Sequence, residues 1–413
     1  MGDSNDIERI FQHELKLPKY QAKRWIMVPD SNKGDYNSAL RFDCKEHKDK
    51  LVAYHNGYIK IIGYIKSTNA TDLQDTSNIA LKNGYYSIVE DCKVNIENTE
   101  IDHTMHNYIT MTVLNLFEYS NDYGISIAES YGFAKDNKNE VVDNNGHKKR
   151  KEFLGAFATD KFPFTLKIPT AHLSTFFRRL DFPLINHTVE ISVRTRLTNC
   201  LLRAGAVPAS KVTIERTELV LPVVELPSPY QVKFYNKLKD KSFLMTLDWD
   251  KLWVYQYALS RQVNLEVSSS VYGINRLYVL AVSTDNWDKQ TTVETFVNTT
   301  LSNVNVILDG EQFYQQNIND DELAYELVKE CFNNGGMDND KGTCLTYLEW
   351  KTCYKIYAFD LSRQKALEAD SRKAQSLRFS CTLPDGNYNV IFIVCCNKQT
   401  KLDFCNTYNL KNI

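Results

Sequence analysis

The stretch KIPTAHLSTFFRRLDFPLINHTVEISVR, running from Lys167 to Arg194, decides how this chain is read. Its two flanks alternate as strands do, with Phe164, Leu166 and Ile168 on one side and Val189, Ile191 and Val193 on the other. Between them Pro169 and Pro183 bracket a short aromatic and basic segment, Leu173 to Arg179. Neither proline can donate to a ladder, so each marks a strand end or an edge. The unit reads as strand, short helical turn, strand, with the second strand starting at Phe182-Pro183.

Working outward, the chain has 413 residues, which suits two domains of about 150–200 residues rather than one small sandwich. An apolar fraction of 43% is enough for ordinary cores, and 24 Tyr and 20 Phe favour sheets. The 49 basic and 51 acidic residues leave a net charge of −2, so the body as a whole is not a polyanion-wrapping surface. None of the ten cysteines forms a C-x-x-C pair and no His lies at ligand spacing, which excludes the usual zinc frameworks. Reduced, structural thiols in a reducing compartment are expected. The polar start at Met1-Gly2-Asp3-Ser4 lacks the apolar core of a signal peptide and fits a myristoylation pattern poorly. No run of 18 apolar residues is present to span a membrane. The sequons at Asn69, Asn186 and Asn298 then carry little weight.

Residues 1–37 read as a polar N-terminal arm, in which Ile7, Ile10, Phe11 and Leu15 recur at helical spacing before Pro18. That helix could pack on its own domain or reach a neighbour. From Ser38 to Leu226 come strand signals: Leu40–Phe42, Leu51–Tyr54, Tyr58–Ile65, Ile79–Leu81 and Tyr85–Val89. Turns at Asn56-Gly57 and Asn83-Gly84 separate them. Cys92, Val94 and Ile96 alternate toward a second apolar face, and Tyr108–Tyr119 fits a helix. Lys135–Lys151 is the most hydrophilic stretch and reads as an exposed loop, so deleting Lys138–Lys148 is expected to leave the fold intact. Val212–Val224 closes the first half.

Leu226-Pro227-Ser228-Pro229 is the clearest internal boundary. After it, residues 227–413 repeat the pattern with short strands at Leu244–Leu247, Val263–Val267, Leu277–Val282 and Val304–Leu308. Tyr354–Phe359, Leu377–Leu383 and Val390–Val394 follow, the last two split by Pro384-Asp385-Gly386. Asp320 is placed to cap a helix from Asp321 to Phe332, which Asn333-Asn334-Gly335-Gly336 ends. Many short strands with helices inserted in loops make an all-β chain of paired sandwiches the economical reading.

The order of these segments resembles double-jelly-roll major capsid proteins of the nucleocytoplasmic large DNA virus lineage, nearest to Polinton and adintovirus-like sequences. Lys167–Arg194 has that family's strand, aromatic turn and "PLI" strand. "VNVILDGEQFY", beginning at Val304, resembles its "LNG…RF" loop, with Gln312 in place of the arginine. "YKIYAFDLS" from Tyr354, followed by Leu377–Cys381, resembles its closing strand pair. Val271–Val282 looks like the strand after an "HPV" loop, although the histidine is absent here. The resemblance implies two tandem eight-stranded jelly rolls, 38–226 and 227–413, with short helices in their loops. It implies a homotrimer of pseudo-hexameric outline tiling an icosahedral virion capsid. Such proteins are made in the host cytoplasm and assembled there or in the nucleus. Implied partners are further copies of the chain, penton and minor capsid proteins and an internal membrane, with no sequence-specific nucleic acid.

No catalytic, cofactor-binding or metal-binding residues are assigned. His103 and His106 near Asp102 lack a third ligand and read as a cap or surface cluster. Asp248, Asp250 and Lys251 around Trp249 read as a half-buried strand end rather than a glycan-binding aromatic. No G-x-S-x-G, P-loop or H-E-x-x-H motif occurs. His147-Lys148-Lys149-Arg150-Lys151 resembles a nuclear-localisation run but reads as a solvated loop. A capsid subunit without enzymatic activity and without cofactor is the expectation. The other class is a tandem β-sandwich glycan-binding protein or glycan-processing enzyme, which needs convergent acids or aromatics in a cleft.

Overall fold

The computed structural model describes residues 22–32, 36, 39–68, 78–154, 163–204, 209–227, 232, 236, 244–332, 343–362, 374–404 and 411–412. The arm helix at Ile7–Leu15, the 333–336 helix stop, Ser228-Pro229 of the boundary, Asn69 and Cys405 lie outside the described residues.

Among the described residues, ten strands build the first half: β1 (Ala22–Pro29), β2 (Ala39–Asp43), β3 (Tyr58–Ser67), β4 (Ile79–Leu81), β5 (Val89–Ile96), β6 (Thr99–Thr104), β7 (Phe164–Pro169), β8 (Val189–Thr195), β9 (Leu201–Arg203) and β10 (Ser210–Glu225). All pairings are antiparallel. One sheet runs β1-β10-β3-β7 and the facing sheet β2-β8-β5-β6, while β4 and β9 form a separate pair. Leaving that pair aside and counting eight strands in chain order, the two sheets read 1-8-3-6 and 2-7-4-5. This is the interleaved order of a jelly roll, in which neither sheet can be completed without the other. Alternation supplies the core: Ile59, Ile61 and Ile65 of β3, Leu166 and Ile168 of β7 and Val189, Ile191 and Val193 of β8 are all buried. Gly63 lies opposite a bulge in β10, and a Cβ there would come within 2.6 Å of the Thr213 carbonyl oxygen.

The second half reaches the same order with fewer, longer strands. These are β11 (Leu244–Val271), β12 (Ile274–Ser283), β13 (Ser302–Leu308), β14 (Glu311–Gln312), β15 (Tyr357–Asp360), β16 (Gln375–Asp403) and the short β17 (Lys411–Asn412). β11 and β16 pair along almost their whole length, but the register jumps from Ser260↔Asn387 to Gln262↔Thr382. Arg261 takes a left-handed φ of 53° at that corner, and residues 383–386 have no partner opposite. The bulge bends both strands from one sheet into the other. Each therefore serves as two barrel strands. β12 pairs with the later part of β16 and with β15, and β13 pairs with its earlier part and with β14. The result is again 1-8-3-6 and 2-7-4-5.

Among the described residues, six α-helices with both ends defined sit in the connections: α1 (Asn107–Glu118), α2 (Asn121–Ile125), α3 (Asn145–Leu154), α4 (Thr175–Arg179), α5 (Asp321–Glu330) and α6 (Tyr347–Thr352). Asp320 caps α5 as the sequence indicates, its carboxylate accepting from the Leu323 amide at 2.7 Å. Thr346 and Glu349 form a capping box on α6.

Several expectations need correction. Part of the 1–37 stretch is strand: β1 puts Ile26 and Val28 inward and pairs with β10 from Ala22↔Glu225 to Pro29↔Glu218. Tyr85–Ile88 is a 3-10 turn rather than a strand, because Gly84 enters it at a φ of 123°. The strand after the aromatic turn begins at Val189 and not at Phe182, with Leu184 making only an isolated bridge to Val52. The short strands foreseen at Leu244–Leu247 and Val263–Val267, and at Leu377–Leu383 and Val390–Val394, are the continuous β11 and β16. The largest correction concerns Lys135–Lys151. It carries most of α3, and Asp136, Asn144, His147 and Arg150 within it are buried.

Candidate functional site

The most constructed region of the molecule is the seam between the barrels. α1 lies in the connection from β6 to β7, and every residue from Asn107 to Phe117 is buried, the polar Asn107, Thr110, Thr112 and Asn115 included, each with a hydrogen bond. Phe117 meets Tyr278 of β12 and Phe332 beyond α5, with ring centroids 4.9 and 5.2 Å apart. From Leu277 to Val282 β12 is accordingly apolar on both sides: one face lines its own core, where Val279 pairs with Phe392, and the other meets α1. Phe176 of α4 stands edge-on to Trp249 of β11 at 5.6 Å, and the indole nitrogen donates to Thr400 at 2.9 Å. Phe404 closes the far end against Phe182 and His187, its carbonyl accepting from Asn186.

Charges are buried in the same seam. Lys82 and Glu294 form an ion pair at 2.5 Å with neither side chain exposed. Arg196 donates to the same carboxylate at 2.9 Å and to Asp288 at 2.5 Å, and lies 4.0 Å over the Tyr108 ring. Burial lowers the Lys82 ammonium pKa while Glu294 opposes that fall. Burial also works against the Arg196 charge, but Glu294, Tyr108 and Asp288 outweigh it. Arg178 binds Glu118 at 2.6 Å and Asn115 at 2.8 Å, tying α4 to α1. Arg150 of α3 binds Asp136 at 2.6 Å, the Leu81 carbonyl at 2.7 Å and the Ala134 carbonyl. Tyr354 of the second half accepts from the Asp136 amide at 2.6 Å, and Lys135 pairs with Glu349.

The residues weighed for chemistry do not converge. Asp102 and His103 point to opposite faces of β6. Asp102 is buried, accepts from Ser174 and Thr175, and has its pKa raised by burial. Burial lowers the His103 pKa, and His106 instead turns to Glu90 at 3.3 Å. Trp249 is a seam residue, and Asp250 serves Arg276 and Asn275 at 2.7 Å each. Sequence reasoning missed one polar knot: His172 is buried with the hydroxyl of Tyr85 at Nδ1 and those of Tyr119 and Tyr123 at Nε2. The rings of Tyr119 and Tyr123 stack at 4.1 Å, which seals the knot. Only Tyr119 and Tyr123 are neighbours in sequence; Tyr85 lies 34 positions before the first and His172 49 after the second, beyond any local motif. Among the described residues no group of three or more His, Cys, Asp or Glu is placed to hold a metal. The nine described cysteines are buried and unpaired.

No family profile matches this sequence, and no curated protein matches it. Solved structures do. A chain of the Sputnik virophage, seen by cryo-EM, superposes with a TM-score of 0.64 at 11% identity, covering 94% of this chain and 88% of that one. The mavirus major capsid protein gives 0.60 at 10% identity, covering 94% and 90%. The Faustovirus major capsid protein gives 0.53 at 9% identity, covering 93% and 91%. With both barrels and the seam inside the matched span, the chain has the double-jelly-roll fold of viral major capsid proteins.

Proposed function

We propose that this chain is a major capsid subunit, three copies of which close into a pseudo-hexameric capsomer that tiles an icosahedral virion shell. The observation that carries this reading is the repeat of one strand order in two barrels locked by a buried seam. A rigid pair of like barrels presents two similar sides, and three pairs in a ring give six similar sides. The reading divides the chain into an arm that ends before β1, a first jelly roll that begins with β1 and runs to residue 226, and a second (227–413). It gives the protein a structural rather than enzymatic role, with penton and minor capsid proteins and an internal membrane as further contacts. Its place is the virion, after synthesis in the host cytoplasm and assembly there or in the nucleus.

Size measurement tests it directly. Purified protein is expected to scatter light as a trimer, near three times 47.7 kDa, or to form shells, and electron micrographs are expected to show hexagonal capsomers. Monomers at every salt concentration and pH would reject the proposal.

A further inference from the structure

The buried knot around His172 holds a segment that has few other anchors. From Tyr119 to Ile127, which is α2 with its flanks, only Gly124 is buried, and Asn121, Asp122, Ile125, Ser126 and Ile127 are exposed. Several of its hydrogen bonds are internal, such as the Ser120 hydroxyl accepting from the Tyr123 amide at 3.2 Å. Among the described residues two hydrogen-bonded contacts fasten it to distant parts of the chain. The Tyr119 carbonyl accepts from the Cys344 amide at 2.8 Å, and the hydroxyls of Tyr119 and Tyr123 meet Nε2 of His172 at 2.9 and 3.3 Å. A segment with so little buried surface opens locally at a fraction of the global unfolding free energy, so each anchor weighs heavily in it.

The His172 anchor depends on charge. A neutral imidazole carries one N–H and one lone pair, so in either tautomer one nitrogen accepts a tyrosine O–H. Protonation turns that acceptor into a donor, and either Tyr85 at Nδ1 or Tyr119 and Tyr123 at Nε2 lose the lone pair they bind. It also places a charge where, among the described residues, no carboxylate meets the ring. The charge that acts on His172 is Arg178 of α4, of the same sign. Arg178 lies 5.3 Å over the Tyr119 ring, and Glu118 of α1 is already committed to it at 2.6 Å. The other titratable groups around the knot bring no negative charge. Tyr86 and Tyr131 pack on Tyr85, and the 3-10 turn Tyr54–Asn56, bonded to Thr170 at 3.1 Å through Gly57, carries Tyr54 and His55.

We propose that His172 is an acid-sensitive latch, whose protonation releases Tyr119–Ile127 from the first barrel while both barrels stay folded. Once the segment lifts, water solvates the imidazolium that the closed knot cannot. The open latch therefore binds its proton near the ordinary ~6.5, whereas burial and Arg178 hold the closed one well below that value. Each unit of pH lost between the two multiplies the open fraction by up to about tenfold. The Phe117–Tyr278 contact stays in place, because it lies on the α1 side of the segment. The latch works within one chain and does not depend on the assembly reading.

Amide hydrogen exchange of the full chain, read by mass spectrometry at pH 7 and pH 5 and corrected for the intrinsic rate, tests it. Protection of residues 119–127 is expected to fall by about tenfold or more on acidification. That protection is expected to be insensitive to low urea at both pH values, whereas protection in β3 and β12 falls with urea, as global opening requires. In H172Q the segment is expected to start less protected and to stay level with pH. No fall in the wild type overturns the latch, and so does a fall that H172Q retains. A fall that urea deepens as much as in the barrels means global unfolding and also overturns it. Should H172Q not fold, exchange at the imidazole C2 carbon of the wild type decides: His172 is expected to titrate well below ~6.5, and titration at that ordinary value overturns the latch.

Discussion

Phe117 and Tyr278 pack edge to face across the seam, with ring centroids 4.9 Å apart and planes at 71°. One belongs to an insertion of the first barrel and the other to the outer face of the second. Truncating either leaves a cavity between elements that cannot close independently. Phe117→Ala is expected to destabilise the protein by about 3–5 kcal/mol. Tyr278→Ala is expected to cost a similar amount, and the double variant less than the sum, because the two share one contact. Urea unfolding of the three variants measures this; strict additivity would show that the rings do not depend on each other.

The Lys82–Glu294 pair holds charges that water does not reach. Glu294→Gln leaves Lys82 and Arg196 facing a neutral amide and is expected to cost about 3–5 kcal/mol. Replacing both partners, as in Lys82→Met with Glu294→Leu, removes one buried cation together with the anion. That double variant is expected to be more stable than Glu294→Gln alone, which chemical denaturation at pH 7 can check.

The strands were legible where burial on one face wrote a period of two, as in β3, β7, β8 and β13. The Asp320 cap was legible because its chemistry is local. What the sequence hid is relational. β11 and β16 each look like two strands, since a bulge at Arg261 and a loop at Pro384-Asp385-Gly386 carry turn residues whether the ladder breaks or bends. β1 has only four apolar residues in a row, Trp25 to Val28, beside charged neighbours, so no period of two shows in it. The seam ion pairs join residues such as Lys82 and Glu294 that are 212 positions apart. No composition rule separates such charges from solvated ones.

The hydrophilic stretch Lys135–Lys151 shows that separation at work, and it reverses an expectation. Asn139 accepts from the Val293 amide through its side chain at 2.9 Å, and the Asn144 side chain accepts from the His147 amide as α3 begins. Deleting 138–148 removes both contacts and the first turn of α3, so the deletion is expected to yield insoluble or low-melting protein. Lys148→Ala, which changes an exposed side chain, is expected to stay within about 0.5 kcal/mol of wild type. Normal melting of the deletion would return the stretch to the status of a free loop.

Buried histidines set the acid limit of this fold. Burial, reinforced by Arg178, holds the His172 pKa well below its ordinary value. Burial and Arg150 bring His147 down to about 4, and burial lowers His187. In the unfolded chain each binds its proton near ~6.5. Between that value and the folded one the unfolded state carries more protons, so stability is complete above about pH 6.5 and falls as the pH drops. Asp321 and Glu349, whose pKa values are lowered by their lysine partners despite burial, lose their contribution only below the ordinary carboxylate range. The histidines therefore govern the upper part of the acid decline. Urea midpoints are expected to fall from pH 7 to pH 5 at unchanged slope. His172→Gln is expected to start lower at pH 7, through loss of the tyrosine contacts, and to decline less. An equal decline in both proteins would show that another group senses the acid.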